Sequence, residues 1–284
     1  MQSSAAIAML PAAATAAAAA AAAARGDAKP NVPGFRLVRA LGSGRRSTVW
    51  LAHHLRQPGE LALKVQQGAC AFERESIVAA RAEGPHLLRV HGHGRAGNWK
   101  WLAMEYVPGG DLAARLRVGV EPAEALQLLE QAARGVAQLH RKGMVHRDVK
   151  PANFLVKADG TLVLADLGLV ARIGRSGSSI DDGRIVGTPR YVAPEQLQGA
   201  PAAPAADVYS LGVLLHEMLA GRPPFAGETL MEMLSQQLVA QPPRLPEAVA
   251  ALQPLVDRML AKEVNRRPPD ADAVLGLLGQ RWMK

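Results

Sequence analysis

Four polar side chains that could together handle phosphate and a divalent metal lie close to one another near the middle of the sequence. They are Asp148, Lys150, Asn153 and Asp166. One carboxylate can orient a nucleophilic hydroxyl group, the other carboxylate and the amide can hold magnesium, and the lysine can neutralise charge on a transferring phosphoryl group. The alternative is a polar surface turn in which Asp148 and Asn153 only cap backbone groups. The fixed spacing of these residue types favours the phosphate site.

A helix and a hairpin are predicted to position this stretch. Apolar residues recur at helical spacing from Glu121 to His140. After the polar stretch begins, two short apolar runs at 154–156 and 162–164 flank Asp159-Gly160, which predicts a β-hairpin. The hairpin would place Asn153 and Asp166 at the bases of two adjacent strands, where both could bind the same metal ion.

The stretch His146-Arg147-Asp148-Val149-Lys150-Pro151-Ala152-Asn153, followed by Asp166-Leu167-Gly168, resembles the catalytic and metal-binding loops of eukaryotic-like (Hanks-type) protein kinases. The lysine two residues after the aspartate is the pattern of the serine/threonine branch. The resemblance covers roughly Phe35 to Trp282. It implies an α+β, bilobal protein-kinase fold with a small β-rich N-lobe (35–107) that carries one main helix, and a larger α-helical C-lobe (108–282).

The first part of this region resembles a nucleotide-binding lobe. Gly42-Ser43-Gly44-Arg45-Arg46-Ser47 lies between two β-like runs, and glycines there would let backbone N–H groups approach phosphate oxygens. Ser47 stands where the family has a third glycine. Lys64 resembles the strand lysine that grips the α- and β-phosphates, although a snorkelling lysine is the alternative. Glu75, with Glu73 in reserve, is its expected partner on a helix over 71–82, at an interval of only 11 residues.

The resemblance also implies the remaining ATP contacts. The run from Trp101 to Val107 followed by Pro108-Gly109-Gly110 resembles the hinge between lobes, with backbone groups of Glu105 and Val107 pairing with adenine. The implied ATP-binding residues are Leu41, Gly42, Ser43, Gly44, Val49, Ala62, Lys64, Met104, Glu105, Val107, Asp111 and Leu155. The implied catalytic residues are Asp148, Lys150, Lys64 and Glu75, and the implied Mg²⁺ ligands are Asn153 and Asp166.

Residues Asp166 to Glu195 resemble an activation segment with its Ala-Pro-Glu terminus. Thr188 would help to seat a serine or threonine acceptor beside Asp148. Arg147 suggests control by phosphorylation of this segment, with Ser176, Ser178 and Ser179 as candidate acceptors. Two structural roles are also implied. Asp207 would accept hydrogen bonds from catalytic-loop N–H groups, and Glu195 would pair with Arg267.

The composition of the chain indicates the compartment and the partners that we expect for the protein. The chain has 284 residues, a formal charge of +8 and one cysteine, Cys70, which excludes an internal disulfide and fits a reducing compartment. The basic residues are scattered, so nucleic-acid binding is not expected. Residues 1–34 form an alanine-rich tail and linker. The apolar run Ala5 to Ala24 has no Lys or Arg before Arg25, and we expect neither a secretory signal nor a stable membrane span.

The function expected from these features is ATP- and Mg²⁺-dependent phosphorylation of serine or threonine in protein substrates, by a cytoplasmic, bacterial signalling regulator opposed by a metal-dependent phosphatase. Three alternatives compete. A pseudokinase usually lacks the phosphate-binding lysine, the catalytic aspartate or a metal ligand, and this sequence has all four residues (Lys64, Asp148, Asn153 and Asp166). A small-molecule phosphotransferase of the aminoglycoside-kinase type lacks the Gly-Thr-Pro…Ala-Pro-Glu segment. A nucleic-acid or membrane-surface binder rests on charge alone.

Overall fold

The computed structural model describes residues 30–44, 47–67, 78, 82–175, 180–181, 184–185 and 188–281. These residues form two compact units. The first contains the described residues of Met1–Ser76 together with Arg89–Gly110, and the second contains those of Ile77–Leu88 and Asp111–Lys284. Each unit has its own architecture, the first built on a sheet and the second mainly on helices. The expected α+β composition is therefore present, whereas the expected helix over 71–82 lies outside the described residues except for residues 78 and 82.

A five-stranded antiparallel sheet forms the first unit, in the order β1-β2-β3-β5-β4. The predicted β-like runs are all present as strands, with β1 longer at its C-terminal end and β2 and β3 longer by one or two residues at both ends. Strand β4 was not predicted from the sequence. The strands are β1 (Phe35–Ser43), β2 (Ser47–His54), β3 (Glu60–Gln67), β4 (Val90–Ala96) and β5 (Trp99–Glu105).

One face of this sheet carries the hydrophobic core of the unit. Leu63 and Val65 of β3 are fully buried there, and the rings of Trp99 and Trp101 pack against the same cluster. Strand β4 contributes Gly94, where an added Cβ would lie 2.5 Å from a ring carbon of Trp101. A side chain at that position would displace the indole ring, so the glycine is required by packing even though glycine is a poor strand former.

The second unit is mainly helical. The 19-residue helix over 122–140 agrees with the predicted amphipathic helix, and the predicted apolar positions are buried on one side of it. The helix over 204–220 is buried nearly all round, as expected for a central core helix. It ends at Gly221, whose φ of +68° terminates the helix in a left-handed conformation. The helices are α1 (Leu112–Leu116), α2 (Pro122–His140), α3 (Pro194–Leu197), α4 (Pro204–Ala220), α5 (Leu230–Val239), α6 (Gln253–Met259) and α7 (Ala271–Arg281), with 3₁₀ turns at Pro151–Asn153, Leu167–Leu169, Pro189–Tyr191, Glu247–Leu252 and Val264–Arg266.

Short two-stranded ladders complete the second unit. The predicted hairpin is present as β7 and β8, which are antiparallel with Leu155 opposite Val163. Among the residues that the structure describes, no helix combines the length and apolar character needed to cross a membrane. The short strands are β6 (Met144–Val145), β7 (Phe154–Val156), β8 (Leu162–Leu164), β9 (Ala171–Arg172), β10 (Ile180–Asp181) and β11 (Arg184–Ile185).

The segment before β4 packs within the second unit. The N–H of Leu164 donates to the carbonyl of His86 (2.9 Å), and the N–H of Leu88 donates to the carbonyl of Leu164 (2.9 Å). Gly135 of α2 lets this segment approach, because an added Cβ would lie 2.8 Å from the His86 carbonyl oxygen. The segment therefore supports β8, the strand that leads into Asp166.

A buried ion pair joins α3 to the C-terminal part of the unit. Arg267 binds both carboxylate oxygens of Glu195, at 2.6 and 2.8 Å, as the sequence suggested. Its other N–H groups donate to the carbonyls of Ala205 (3.1 Å), Ala261 (2.6 Å) and Lys262 (3.0 Å). The guanidinium is thus bound at both edges of its plane, which fixes α3 against the start of α4.

Candidate active site

Asp207 of α4 determines the backbone conformation of the loop that follows β6. Its carboxylate accepts hydrogen bonds from the backbone N–H groups of His146 (2.7 Å) and Arg147 (2.8 Å) and from His140 Nε2 (2.9 Å). Arg147 has a φ of +70°, a conformation that L-residues rarely adopt. The two backbone hydrogen bonds hold the loop in this conformation. The structural role expected for Asp207 is therefore present.

The charge of Asp207 is maintained by its partners. Complete burial by itself raises the pKa of this carboxyl group, but the hydrogen bonds from His140 and from the Arg147 N–H group oppose that effect, and its pKa is lowered overall. His140 can donate to Asp207 because its other ring nitrogen accepts a hydrogen bond from the N–H of Ala271 (3.2 Å). The first residue of α7 thereby fixes the tautomer of His140.

His146 links the loop to the residue that precedes Asp166. Its Nδ1 accepts a hydrogen bond from the Asp148 N–H group (3.3 Å), so its Nε2 carries the proton and donates to the carbonyl of Ala165 (3.1 Å). The N–H of Ala165 in turn donates to the carbonyl of Asn153 (2.7 Å). These contacts place the ends of β7 and β8 beside the loop, which is the arrangement that the hairpin spacing predicted.

The carboxylate of Asp148 is held by two side chains and one backbone group. Its Oδ2 accepts from Lys150 Nζ (2.7 Å) and from Asn153 Nδ2 (3.1 Å), and its Oδ1 accepts from the N–H of Thr188 (3.1 Å). Lys150 also donates to the hydroxyl oxygen of Thr188 (2.7 Å). The structure thus brings together Asp148, Lys150, Asn153 and Thr188, four residues that the sequence selected.

The two residues proposed for metal binding lie at the base of the hairpin, Asn153 directly before β7 and Asp166 shortly after β8. Both recorded hydrogen bonds of the Asn153 side chain use Nδ2, with Asp148 as acceptor, so neither engages its amide oxygen. Asp166 has a φ of +56°, directly before the 3₁₀ turn at Leu167–Leu169. Within the described part of the chain, no group of three or more His, Cys, Asp or Glu side chains has metal-binding geometry. The donors here are one carboxylate and one amide oxygen, and such a small oxygen set suits Mg²⁺, which keeps several waters and binds substrate phosphates.

In the first unit, Lys64 lies on the sheet face opposite the aromatic core. It is paired with Val49 of β2 and Leu102 of β5, and Ala62 is paired with Met104. Because paired residues of antiparallel strands point to the same side, Val49, Ala62, Lys64 and Met104 share one face. Four of the predicted ATP contacts are therefore neighbours.

The glycine-containing turn has space for a ligand at its first glycine. A Cβ added at Gly42 would meet no heavy atom within 4 Å. Gly44 is fixed by a hydrogen bond from its N–H to the carbonyl of Ser47 (2.8 Å), and Ser47 itself begins β2 opposite Gln66. The serine that replaces the third glycine is thus accommodated as a strand residue. The backbone at Gly42 is therefore accessible to a ligand, and backbone N–H groups that a ligand can reach are suited to binding phosphate oxygens.

The hydrogen bonds of Glu105 and Asp111 show how each of these predicted ATP-binding residues is held. The N–H of Glu105 donates to the carbonyl of Arg89 (2.9 Å), so that its backbone could offer a ligand only its carbonyl. In the second unit, Asp111 caps α1 through a hydrogen bond from the N–H of Ala114 (2.8 Å), and it forms a β-bridge with Leu155. The bridge brings together two residues that were assigned to ATP binding.

The predicted residues divide between the two units. Leu41, Gly42, Ser43, Gly44, Val49, Ala62, Lys64, Met104, Glu105 and Val107 belong to the first, and Asp111, Arg147, Asp148, Lys150, Asn153, Leu155, Asp166 and Thr188 belong to the second. Glu73, Glu75, Ser176, Ser178 and Ser179 lie outside the described residues.

Sequence reasoning missed several polar residues that support the segment after Thr188. Ser210 Oγ donates to the carbonyl of Tyr191 (2.7 Å), and the Tyr191 hydroxyl donates to Glu217 (2.5 Å). Gln196 donates to the carbonyl of Arg147 (3.3 Å). In the sequence, these supporting residues are indicated only where a polar residue lies on an otherwise apolar helix, as Ser210 does on α4. A buried polar side chain of this kind needs a hydrogen-bond partner.

The sequence pattern that defines the protein kinase domain matches residues 35–282. The chain belongs to the protein kinase family, and the predicted family and fold class are confirmed.

Its relatives include bacterial serine/threonine-protein kinases. The chain is 36% identical over 256 residues to a Corynebacterium efficiens protein named "Serine/threonine-protein kinases drp72", covering 84% of this chain and 49% of the relative. It is 36% identical over 254 residues to PknA of Corynebacterium glutamicum (84% and 54%) and 37% identical over 251 residues to PknL of Mycobacterium tuberculosis (84% and 63%). The chain thus spans about half to two thirds of the length of these relatives.

Proposed function

We propose that the protein transfers the γ-phosphoryl group of ATP to serine and threonine hydroxyls of protein substrates. The arrangement of Asp148, Lys150 and Thr188 carries this proposal. The carboxylate is oriented by three donors, from Lys150, Asn153 and the Thr188 N–H group, and the lysine also donates to the threonine hydroxyl. Such an arrangement can receive the proton of an alcohol while the lysine balances negative charge on the group being transferred.

The step requires one bond to form and one to break. The acceptor oxygen bonds to the γ-phosphorus, the bond from that phosphorus to the bridging oxygen of ADP breaks, and the proton of the hydroxyl passes to an Asp148 carboxylate oxygen. The protein contributes positioning and electrostatics, since phosphoryl transfer needs little covalent help.

Asn153 and Asp166 would hold Mg²⁺, which when bound neutralises charge on the β- and γ-phosphate oxygens. Lys64 would position the α- and β-phosphates, with Glu75 as its partner. The face that carries Val49, Ala62 and Met104 would contact the nucleotide, together with the other ATP-binding residues named above. The lobe boundaries at 35–107 and 108–282 belong to the same proposal.

The test uses radiolabelled ATP, Mg²⁺ and myelin basic protein or casein as the acceptor. Asp148→Asn and Lys64→Met should each lower incorporation by at least about 100-fold, because the first removes the proton acceptor and the second removes the charge that positions the phosphates. Asp257→Asn is the matched control, since Asp257 is exposed on α6, and it should retain full activity. Residual activity of Asp148→Asn within tenfold of the unmodified protein would contradict the proposal.

Acceptor specificity needs a separate measurement. Lys150, two residues after Asp148, contacts the hydroxyl of Thr188, and this fits a short alcohol rather than a phenol at the acceptor position. Phosphoamino-acid analysis of the labelled substrate should give phosphoserine and phosphothreonine. Phosphotyrosine as the main product would refute the assignment.

Phosphorylation of the protein's own activation segment is the regulation we propose. Arg147 follows the buried His146 in a fixed, left-handed backbone conformation, and its guanidinium could pair with a phosphate on Ser176, Ser178 or Ser179. Mass spectrometry after incubation with Mg-ATP should find phosphate between Asp166 and Glu195. A segment that stays unmodified while exogenous substrate is phosphorylated would remove this part of the proposal. Action in the cytoplasm and reversal by a metal-dependent phosphatase complete the proposed setting.

A further inference from the structure

Helix α5 is attached to the rest of its unit in an unusual way. It leaves large apolar side chains in solvent, since Met231 is 74% and Val239 is 72% exposed. Its one fully buried residue is Gln237. The helix therefore places a polar amide, rather than an apolar stripe, at its most buried position, and a buried amide needs hydrogen-bond partners.

Gln237 has a partner at each end of its amide group. Its Nε2 donates to the backbone carbonyl of Arg190 (2.5 Å), and its Oε1 accepts from the hydroxyl of Tyr209 (2.5 Å). Because a carbonyl oxygen can only accept, the amide nitrogen must be the atom that faces Arg190. Gln237 thus connects α5 to the segment that follows Thr188.

Lys262 fixes the direction of this chain of hydrogen bonds. Its ammonium group donates to the Tyr209 hydroxyl oxygen (3.1 Å) and to the carbonyl of Gln237 (2.8 Å), and it lies 3.9 Å from the ring centroid of Phe225. An ammonium group can only donate, so the Tyr209 hydroxyl accepts from Lys262 and gives its own proton to Gln237. Burial raises the pKa of Tyr209, which keeps that proton in place.

The segment that Gln237 reaches is part of the candidate active site. Arg190 lies two residues after Thr188, whose N–H donates to Asp148 and whose hydroxyl accepts from Lys150. The N–H of Tyr191 donates back to the carbonyl of Thr188 (3.0 Å). A shift of the Arg190 carbonyl would therefore be transmitted to Thr188 through one short turn.

We propose that Gln237 is a positioning residue for the protein acceptor: by holding the Arg190 carbonyl, it keeps the segment from Thr188 to Tyr191 in the shape that presents an acceptor hydroxyl to Asp148. This inference rests on the proposed kinase function and names the element that controls acceptor binding. Gln237 does not act on the nucleotide, so its loss should change the KM for the acceptor and leave the KM for ATP unchanged.

The chain offers a matched pair of substitutions. Gln237→Glu keeps the size of the side chain and the acceptor for Tyr209 but removes the donor to Arg190. Gln236→Glu makes the same change one residue earlier, where the Gln236 amide donates to the carbonyl of Ala226 (2.5 Å) and not to the Thr188–Tyr191 segment. Both variants change the net charge of α5 by the same amount, and Tyr209→Phe, which adds no charge, controls for the burial of the new carboxylate at position 237.

Steady-state kinetics with a peptide acceptor should separate the two. We expect Gln237→Glu to raise the KM for the peptide about tenfold, while its KM for ATP and its ATP hydrolysis without peptide stay within twofold. Gln236→Glu should match the unmodified protein in all three. Equal peptide KM values for the two variants, or parallel changes in peptide and ATP KM for Gln237→Glu, would overturn the inference.

A second variant and a second measurement keep the test decisive if Gln237→Glu folds poorly. Tyr209→Phe removes only the hydroxyl that orients Gln237, and it should raise the peptide KM in the same direction by a smaller factor. Hydrogen exchange of the amides from Thr188 to Val192, measured without nucleotide, should be faster in Gln237→Glu than in Gln236→Glu. Unchanged exchange would refute the positioning role even if the protein proved to have no kinase activity, and failed phosphorylation by the unmodified protein would refute only the proposed function.

Discussion

Replacing Arg267 by lysine should lower the free energy of unfolding by about 3–6 kcal/mol. A guanidinium group has five N–H donors. All five are used here, two on the carboxylate of Glu195 and three on the carbonyls of Ala205, Ala261 and Lys262. A lysine ammonium group has three donors, so at least two acceptors lose their partner. A hydrogen bond that involves a charged group contributes about 1.5–3 kcal/mol, and two of them give the expected range.

Urea-induced unfolding followed by far-ultraviolet circular dichroism measures this loss. The matched control is Arg141→Lys, because Arg141 pairs with Asp272 at the surface, where the two side chains are 59% and 40% exposed. An exposed ion pair contributes at most about 1 kcal/mol, so this variant should unfold nearly as the unmodified protein does. A loss below 1 kcal/mol for Arg267→Lys, or equal losses for the two variants, would show that full use of the guanidinium donors does not stabilise this unit.

Three further predictions concern buried groups. Asp207→Asn should lower the melting temperature and phosphorylation of casein together, because an amide NH₂ would face the backbone N–H groups that Asp207 now binds. Since its pKa is lowered, the stability that Asp207 contributes should be lost as pH falls below about 4, and acid titrations of the two proteins should show the difference. Burial, followed by the charge of Arg267, lowers the pKa of Lys262 to about 8, so between that pH and 10.5 the unfolded chain binds more protons there. The free energy of unfolding should therefore rise across this range relative to Lys262→Met in urea titrations. Gly135→Ala should cost about 1–3 kcal/mol in the same assay, because its Cβ would lie 2.8 Å from a backbone oxygen.

The parts of the site that could be predicted from sequence are those set by local spacing. Asp148, Lys150 and Asn153 lie within one turn of chain, and the Asp159-Gly160 turn determines how Asn153 and the residue before Asp166 meet. Gly160 has a φ of +83°, the conformation for which the sequence selects glycine. Contacts between residues that are close in the sequence can therefore be predicted from residue type and spacing.

Contacts between distant residues could not be predicted in the same way. Strand β4 was missed because its glycines have low strand propensity, and the ring of Trp101 that requires Gly94 lies on another strand. The path from Lys262 through Tyr209 and Gln237 to Arg190 joins four separate elements, and no periodicity connects them. Each of these residues looks like an ordinary helix or loop residue until the tertiary structure brings it to its partner.

The left-handed backbone of Arg147 and Asp166 limits how the protein can be made more robust. A non-glycine residue in this conformation costs on the order of 1–3 kcal/mol, and glycine would recover much of that cost. Glycine at position 147 would delete the guanidinium on which the proposed regulation depends, and glycine at position 166 would delete the carboxylate proposed to bind Mg²⁺. Selection for heat resistance would therefore enrich glycine substitutions that yield a more stable protein without its regulation (position 147) or without its activity (position 166), and a screen for stable variants should hold both positions constant.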